Sequence, residues 1–336
     1  MMKFFLFDMT RISKLKINKD SQKTYLASFF GKKYGEFVYS GTMAVETALH
    51  CSGINEGDYV LIQNNVCYRI LLCIIRLKAI PIIVTPINGW IITEKEISKA
   101  LEKFPIKALF LVHNLGLPVD IKSIKKIVGE KIIIIEDASQ AWKISSKGNK
   151  IGKYSDYVVT SFGLSKPLSF GIGGAIFCNT KNFMKLIDGY NKSSRLSSIP
   201  LLPYTLPKTF NINIKELIKT ADKITKHQQL IATFLLKNLD CKKINFWQPD
   251  LNDYPTWHRF PIWTNEKSVY KKIKMVADEC QIDYEIPYKI SLDKTPLAIN
   301  GFAINMGNID KNLYHFLIKT NNNSLKKIKK FIKLLQ

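Results

Sequence analysis

The stretch Thr160–Ala175 reads TSFGLSKPLSFGIGGA and places one lysine, Lys166, in a turn rich in serine, glycine and proline. Apolar runs flank this turn and predict two strands, one ending at Val159 and one over Ala175–Cys178. A partly desolvated lysine in such a connection can attack a carbonyl, and the glycines permit close backbone approach to a bound group. The same pattern also fits a surface turn in a lysine-rich protein.

The composition of the 336 residues fits one large α/β domain with a smaller second one. Hydrophobic residues make up 46%, which is enough for a sizeable core. No run approaches the ~20 uncharged apolar residues of a membrane-spanning helix, and the N-terminus lacks a signal-peptide pattern. The six cysteines show neither metal-site spacing nor a disulfide framework, so we expect a cytoplasmic protein without a metal.

The formal net charge of +23 raises the question of a nucleic-acid partner. Only five of the 50 basic residues are arginine, and the lysines are spread along the chain instead of forming one stripe. The densest run, Leu325–Leu335, predicts an amphipathic helix with a solvated basic face. We therefore expect no nucleic-acid partner, and a basic field that suits an anionic substrate such as a nucleotide diphosphate.

Strands and helices alternate through the first half of the chain. Apolar runs predict strands at 37–39, 59–62, 80–84, 108–112, 132–135, 157–159 and 175–178. Helical spacing predicts helices at 24–30, 43–54, 66–77, 93–103 and 121–128, and later at 214–236 and 268–279. Continuous apolar strands between helices are typical of a mainly parallel sheet covered on both faces. The regularity weakens after Thr180, which predicts a large domain over 1–205 and a small C-terminal α+β domain over 206–336.

Four polar residues fall at or just beyond predicted strand ends, where open α/β sheets bind their ligands: Thr42, His113, Asp137 and Ser161. The segment Ser40-Gly41-Thr42 joins a strand to a helix, and backbone N–H groups at a helix N-terminus form a natural phosphate seat. The same segment also fits an ordinary helix cap, and His113 equally fits a structural role.

A phosphate-binding turn, an acid after a buried strand and a lysine in a glycine-flanked turn together indicate pyridoxal phosphate. This cofactor needs an anchored phosphate, a lysine that forms a Schiff base, and a carboxylate against the ring nitrogen. Asp137 suits the last role, because a carboxylate facing a cationic ring is favoured in its charged form. In isolation Asp137 fits a helix N-cap about as well.

The sequence resembles the DegT/StrS-type sugar aminotransferases, which are pyridoxal-phosphate enzymes of fold type I. The resemblance runs from about residue 29 to residue 180. It is carried by SGT at 40–42, GDYVLI at 57–62, VHNLGLPVDI at 112–121, EDASQA at 136–141 and the lysine turn with its glycine pair. The joint spacing of these motifs is far more specific than any one of them.

The resemblance implies a role for each matching position. Lys166 becomes the catalytic Schiff-base lysine and proton shuttle, Asp137 the partner of the pyridine nitrogen, and Gln140 a hydrogen-bond partner near the ring hydroxyl. The implied phosphate contacts are Gly41, Thr42, Met43 and Ser161. Asn211 matches an asparagine that reaches the cofactor phosphate of the neighbouring subunit, which implies a homodimer.

The implied activity is transfer of an amino group, by family habit from glutamate, to a keto group of a nucleotide-linked deoxysugar. Such amino sugars serve polysaccharide or secondary-metabolite biosynthesis. A dehydratase branch of the family carries histidine at the position of Lys166, so the lysine argues against dehydration. Two alternatives stay open: an enzyme of the same fold and cofactor acting on a non-sugar ketone or by other chemistry, and a non-enzymatic basic protein that binds an anion.

Two positions depart from the family pattern, and one stays ambiguous. Cys67, followed by Tyr68, stands where an aromatic residue normally stacks on the cofactor ring. The motif around Asn211 has Asn213 in place of an arginine. Trp142 fits a place in the core as well as one in the site.

Overall fold

The computed structural model describes residues 19–86, 89–180, 213–286, 292, 295, 301, 303–306 and 314–336. Asn211 and the predicted domain boundary after residue 205 lie outside these described residues. The helices are α1 (Lys19–Phe29), α2 (Gly41–Cys51), α3 (Tyr68–Arg76), α4 (Glu94–Leu101), α5 (Ile121–Val128), α6 (Ile214–Asn238), α7 (Lys267–Glu279) and α8 (Leu325–Leu335).

The strands follow the predicted alternation closely in the first half of the chain. They are β1 (Tyr34–Val38), β2 (Tyr59–Gln63), β3 (Ile80–Val84), β4 (Ile106–Val112), β5 (Ile133–Asp137), β6 (Ser145–Ser146), β7 (Asn149–Lys150), β8 (Tyr157–Ser161), β9 (Gly174–Cys178), β10 (Asn245–Phe246), β11 (Phe260–Thr264), β12 (Tyr284–Glu285), β13 (Ile304–Asn305) and β14 (Tyr314–Ile318). The two-residue strands are too short for a sequence pattern to predict.

Within the described ranges, the main sheet has eight strands in the order β1–β9–β8–β5–β4–β2–β3–β13. All neighbours from β8 to β13 are parallel, whereas β9 runs antiparallel to both β8 and β1. This arrangement confirms the predicted mainly parallel α/β sheet. The chain adds β3 on one side of β2 and then β4 on the other, so the strand order reverses there, and ligands bind beside such points.

Helices cover both faces of the main sheet. Leu61 packs into a cluster with apolar residues of α4 and α5, whereas Val60 and Ile62 pack with those of α2 and α3. Successive side chains of a strand point to opposite faces, so a strand buried on both sides must be apolar at nearly every position. This double burial explains why the strands read as continuous apolar runs.

A second, four-stranded sheet has the order β10–β11–β14–β12 and is antiparallel throughout. Its residues Phe260 and Phe316 belong to the same apolar cluster as Leu109 and Ile134 of the main sheet. Strand β13 also returns from this half of the chain to pair with β3. A shared core and a shared strand therefore join the two halves, and the division into two domains stays a prediction.

Helix α3 begins later than the predicted residue 66, because Cys67 has extended backbone angles and forms the N-cap. The predicted helix over Leu325–Leu335 is present as α8, with Ile328, Phe331 and Ile332 buried. Its lysines line the opposite face, as the amphipathic pattern requires. Among the described residues, no helix is both long enough and apolar enough to cross a membrane.

Candidate active site

The carboxyl ends of β4, β5 and β8 lie side by side at one edge of the main sheet. Asp137, the last residue of β5, is in register with Val112 of β4 and Val159 of β8. Backbone hydrogen bonds continue past the strand ends, from the His113 N–H to the Asp137 carbonyl at 3.2 Å and from the Ala138 N–H to the Val159 carbonyl at 2.8 Å. The loops after these strands emerge together, and we call this region the site edge.

The start of α2 meets the site edge at Ser161. Ser40 caps the helix by accepting a hydrogen bond from the Met43 N–H at 3.2 Å. The N–H groups of Gly41 and Thr42 have no acceptor inside the helix, as in the first turn of any helix. A Cβ on Gly41 would lie 2.7 Å from the Ser161 Cβ, so only glycine lets Ser161 pack against this helix end. Backbone donors, a hydroxyl and a positive helix end together suit a phosphate.

The glycine pair after the lysine turn serves the fold itself. A Cβ on Gly174 would lie 2.7 Å from the Ser40 carbonyl oxygen and 2.7 Å from the Thr160 carbonyl oxygen. Gly173 has a φ of 103° and forms a β-bridge with Ser40. We expected these glycines to make room for a bound group. Gly174 instead lets α2, β8 and β9 come together, because every atom that a Cβ at this position would approach is a backbone atom of the chain itself.

Asp137 is 6% exposed and accepts a hydrogen bond from the Ser139 N–H at 2.7 Å. No helix begins in the fully described stretch 138–180, so the helix-cap alternative for Asp137 does not hold. The carboxylate instead lies in a turn at the site edge. An acid in this position can face a cationic group of a ligand bound there.

Gln140 is fixed by the loop after β4. Its Oε1 accepts a hydrogen bond from the Leu115 N–H at 2.9 Å, and Leu115 has a left-handed φ of 59°. The next residue is Gly116, where a Cβ would lie 2.9 Å from the Gln140 carbonyl oxygen. Because the backbone uses the oxygen end of the Gln140 amide, its NH₂ end is the one available to a ligand.

Lys166 lies in a tight turn after β8, and its N–H donates to the Gly163 carbonyl at 3.0 Å. Its side chain is half-buried. Among the described residues, no carboxylate lies within ion-pair distance of its amine. The amine is therefore partly desolvated and unpaired, which is the setting that the nucleophile interpretation requires.

His258 enters the site edge from the second sheet and was not among the predicted site residues. The next residue ties it to the loop after β4, since the Arg259 N–H donates to the Leu115 carbonyl at 3.1 Å. His258 is 4% exposed, and its Nδ1 has no hydrogen-bond partner among the described residues. Burial and the charges of Arg259 and Lys166 hold the pKa of this imidazole well below its ordinary value. His258 lies just before β11, and such a position is too common for the sequence to single the residue out.

His113 and Glu136 form a buried pair beside the site edge. The Nδ1 of His113 accepts a hydrogen bond from the Val119 N–H at 3.1 Å, and its Nε2 lies 3.5 Å from Glu136 Oε2. Glu136 also accepts a hydrogen bond from the Gly152 N–H at 2.7 Å. Both ring nitrogens of His113 are engaged, which favours the structural role for this residue.

The other residues that the sequence left ambiguous have different surroundings. Trp142 is 1% exposed, packs on Phe29 with 5.4 Å between ring centroids, and donates its indole N–H to Asp222 at 2.7 Å. It therefore fills the core. Cys67 is exposed at the N-terminus of α3, and the following Tyr68 is 51% exposed.

A family model described as the DegT/DnrJ/EryC1/StrS aminotransferase family matches residues 18–302. The chain belongs to this family. The match contains the whole site edge and reaches into the second sheet, and it confirms the resemblance that the motifs indicated. Among the described residues, no group of three or more His, Cys, Asp or Glu side chains could hold a metal ion.

Curated relatives carry the names of nucleotide-sugar enzymes. The chain is 27% identical to the GDP-perosamine synthase of Vibrio cholerae over 164 residues, which span 48% of this chain and 44% of that protein. It is 26% identical to the UDP-2-acetamido-2-deoxy-3-oxo-D-glucuronate aminotransferase of Pseudomonas aeruginosa over 281 residues, 81% of this chain and 76% of the relative. The first match thus spans less than half of its relative.

Solved structures agree with the family assignment at the level of fold. S. venezuelae DesV, solved in complex with a ketimine intermediate, has a TM-score of 0.80 to this chain at 21% identity. The alignment covers 95% of this chain and 88% of DesV. This likeness confirms the predicted fold-type-I architecture.

Proposed function

We propose that the chain is a pyridoxal-phosphate-dependent aminotransferase. The observation that carries this proposal is that a half-buried, unpaired lysine, a buried acid and a phosphate seat meet at one sheet edge in a chain of an aminotransferase family. When bound, pyridoxal phosphate supplies the electron sink that lets an amino group leave one substrate and join another.

The chain's own residues divide the work at the site edge. The free N–H groups of Gly41 and Thr42, with the Ser161 hydroxyl, would hold the cofactor phosphate at the start of α2, whereas the expected Met43 N–H is already used by the Ser40 cap. Asp137 would stabilise the protonated form of the ring nitrogen. The NH₂ end of Gln140 donates to the ring hydroxyl, since its oxygen end is used by Leu115.

Lys166 binds the cofactor covalently through its amine. When free, the same amine would act as the acid and base that takes up and returns the proton of the substrate carbon. A lysine that lacks a carboxylate partner in the described chain can perform both tasks without first breaking an ion pair.

The substrate that this proposal assigns is a keto group of a nucleotide-linked deoxysugar, with glutamate as the amino donor. The relatives support a nucleotide-linked sugar, because one is named for a GDP-linked and the other for a UDP-linked compound. A net charge of +23 suits the diphosphate of either. The resulting amino sugar would serve polysaccharide biosynthesis in the cytoplasm.

The functional unit in this proposal is a homodimer in which Asn211 reaches the cofactor phosphate of the neighbouring subunit. Asn211 lies outside the described residues. Asn213, which stands where the family has arginine, caps α6 by accepting a hydrogen bond from the Glu216 N–H at 3.2 Å. Its side chain therefore stabilises a helix end and supplies no cation to a substrate.

The test of the activity has two stages. Purified protein loaded with pyridoxal phosphate should show a visible absorbance band, and borohydride should fix the cofactor onto Lys166 in a peptide map. GDP- and UDP-linked keto sugars are then supplied with glutamate, and the amino sugar is detected by mass. If the band is present and a simple keto acid gives a product while no sugar does, the substrate is a non-sugar ketone. Absence of the band would favour the alternative of a non-enzymatic basic protein that binds an anion.

The dimer has its own test by complementation. Lys166→Ala and Asn211→Ala are each expected to be inactive, and a mixed dimer holds one site with both defects and one with neither. Re-annealed mixtures should therefore regain activity. Heterodimers that form by mass and stay inactive would show that Asn211 acts within its own chain or not at all.

A further inference from the structure

A cleft opens between the end of α1 and the hairpin formed by β6 and β7. Its volume is about 760 Å³, which is within the range of small-molecule sites. We call it the hairpin cleft. Its lining contains none of the proposed cofactor residues and includes Phe29, Lys143, Lys150, Lys153 and Tyr254.

The lining of the hairpin cleft carries positive charge only. Three of its side chains are lysines, and none is acidic. Lys143 pairs with Asp222, which is not part of the lining, with 2.8 Å between Nζ and Oδ1. Among the described residues, Lys150 and Lys153 have no acidic partner. Two uncompensated ammonium groups at one concave surface attract an anion that carries more than one charge.

A second cavity, beside the turn of the same hairpin, has the opposite character. Its lining contains a single lysine and four acids: Lys147 with Glu94, Asp120, Asp250 and Asp253. Positive and negative side chains are therefore separated on the two sides of the hairpin. The high lysine content of the chain does not by itself account for the lining of the hairpin cleft.

The backbone and two aromatic rings fix Lys143 at the wall of the hairpin cleft. Its φ of 52° lies in the left-handed region, which is unfavourable for a residue with a side chain. Such conformations persist where the surrounding structure imposes them, and they are concentrated at ligand sites. The Lys143 Nζ lies 5.3 Å from the ring centroid of Phe29 and 5.4 Å from that of Trp142.

Tyr254 gives the hairpin cleft a fixed aromatic surface. Its side chain is half-exposed, yet its N–H donates to the Ser145 carbonyl at 2.9 Å and its hydroxyl donates to Gln229 Oε1 at 3.0 Å. Within the described part of the chain, its ring packs against no other ring. Because these hydrogen bonds already hold the ring, a planar ligand can stack on it with little loss of conformational freedom.

We propose that the hairpin cleft is a nucleotide-binding site in which Lys150 and Lys153 hold the diphosphate and the Tyr254 ring stacks on the base. Every base has a π-face, so stacking on an aromatic side chain is favourable for all of them. A simple anion would use the lysines alone, whereas a nucleotide uses the lysines and the ring. The proposal goes beyond the proposed function and does not depend on it, because no proposed cofactor residue lines the cleft.

The first experiment locates the site by photolabelling of the full chain. The probes 5-azido-UDP and 8-azido-GDP are irradiated with the protein, and the labelled peptides are identified by mass. Labelling of residues 143–153 or of Tyr254 that excess UDP or GDP prevents supports the proposal. Labelling confined to the peptide of Lys166, or labelling that the free nucleotides do not prevent, overturns it.

A free nucleoside diphosphate and the nucleotide part of a sugar nucleotide share the proposed chemistry. UDP-glucose as a competitor of labelling separates them. Protection equal to that by UDP identifies a sugar-linked nucleotide as a ligand, and weaker protection identifies the free diphosphate. Both results support the site, whereas protection by neither compound contradicts it.

The second experiment compares the concentrations of UDP and of pyrophosphate that halve labelling of the hairpin cleft. The double variant Lys150→Gln/Lys153→Gln should raise both concentrations about tenfold. The matched control is Lys95→Gln/Lys99→Gln, which changes two exposed lysines of α4 and should leave both concentrations within about twofold of wild type. Equal effects of the two double variants would show that only the overall charge of the chain matters, and would overturn the proposal.

The aromatic contact is tested at Tyr254. Tyr254→Leu should raise the concentration for UDP about tenfold and leave that for pyrophosphate unchanged. Tyr254→Phe keeps the ring and should stay close to wild type for both. If UDP and pyrophosphate protect equally in wild type and Tyr254→Leu changes neither, the cleft is a simple anion-binding surface and the nucleotide proposal is wrong.

Discussion

Two groups of residues near the end of β5 contain the same chemistry: one lysine, one acid and one histidine each. The buried set consists of Lys32, Glu136 and His113. The site set consists of Lys166, Asp137 and His258. Glu136 and Asp137 are neighbours in one strand, so their side chains leave it towards opposite faces of the sheet.

The buried set is internally satisfied. The Lys32 ammonium donates to the Ser155 carbonyl at 2.5 Å, and Glu136 accepts hydrogen bonds from Gly152 and faces His113. Burial lowers the pKa of Lys32, and the charges of Glu136 and Asp156 partly offset this effect. Such a network stabilises the fold and has no group left for a ligand.

The site set has unused bonding capacity. Lys166 lacks an ion pair in the described chain, and Nδ1 of His258 lacks a partner there. Asp137 is held by one backbone N–H, that of Ser139. The acids and histidines of the two sets are buried alike, and the lysines differ, since Lys32 is buried and Lys166 half-buried. What distinguishes the site set is therefore the hydrogen bonds that its buried groups have not made.

The largest expected difference between the sets is at the lysines. Lys166→Ala should abolish turnover and the visible band of the bound cofactor, because the covalent attachment and the proton carrier are both lost. Lys32→Met should keep both, while the free energy of unfolding falls by about 2 kcal/mol as the buried Ser155 carbonyl loses its donor. Initial rates, spectra and urea unfolding measure these effects. Lys32→Met protein that is stable but inactive would contradict the division into two sets.

The acids should differ almost as strongly. Asp137→Asn removes the anion that faces the ring nitrogen, and kcat should fall by several orders of magnitude while cofactor remains bound through the phosphate seat. Glu136→Gln keeps an oxygen for the Gly152 N–H and should change kcat only a few-fold, with about 1–3 kcal/mol lost from the free energy of unfolding. A near-normal kcat in Asp137→Asn would show that this residue only stabilises the turn after β5.

A glycine outside both sets tests whether the phosphate seat acts separately from them. Gly41→Ala places a Cβ 2.7 Å from the Ser161 Cβ and should raise the Kd for pyridoxal phosphate about tenfold, because the seat must open. Gly163→Ala is the matched control, since its Cβ would lie 3.5 Å from the Ser161 Oγ, an ordinary contact. Equilibrium dialysis of both variants gives their Kd values for pyridoxal phosphate. Equal Kd values would show that the phosphate seat does not depend on the packing of Gly41 against Ser161.

The smallest expected effect is the response of stability to acid. The pKa of His258 is lowered in the fold, so below about pH 6.5 the unfolded chain binds a proton that the folded chain does not. The free energy of unfolding should therefore fall as the pH drops from 7 to 5, by at most about 1.4 kcal/mol per pH unit for one such histidine. Urea unfolding at several pH values should show a shallower fall in His258→Asn. An unchanged slope would mean that His258 is protonated in the fold.

Much of the site could be predicted because its parts are local. Ser40 to Thr42, Asp137, Gln140, Ser161 and Lys166 each lie at the end of a strand or in the loop that follows it, so their common edge follows from a mainly parallel sheet. The purpose of Gly174 could not be predicted in the same way. Because glycine has no side chain, the backbone of Ser40, which belongs to another strand-to-helix connection, can pack against it. The local sequence pattern around Gly174 gives no sign of that contact.

The sequence by itself determined the alternation of strands and helices, the mainly parallel sheet and the family, because these depend on periodicity and on motifs of a few adjacent residues. Only the tertiary structure showed that a second lysine, acid and histidine, those of the buried set, are sealed in the core. It also brought His258 to the site edge, through the packing of the second sheet against the loop after β4. Such contacts arise from the folding of the whole core, and the sequence near His258 does not record them.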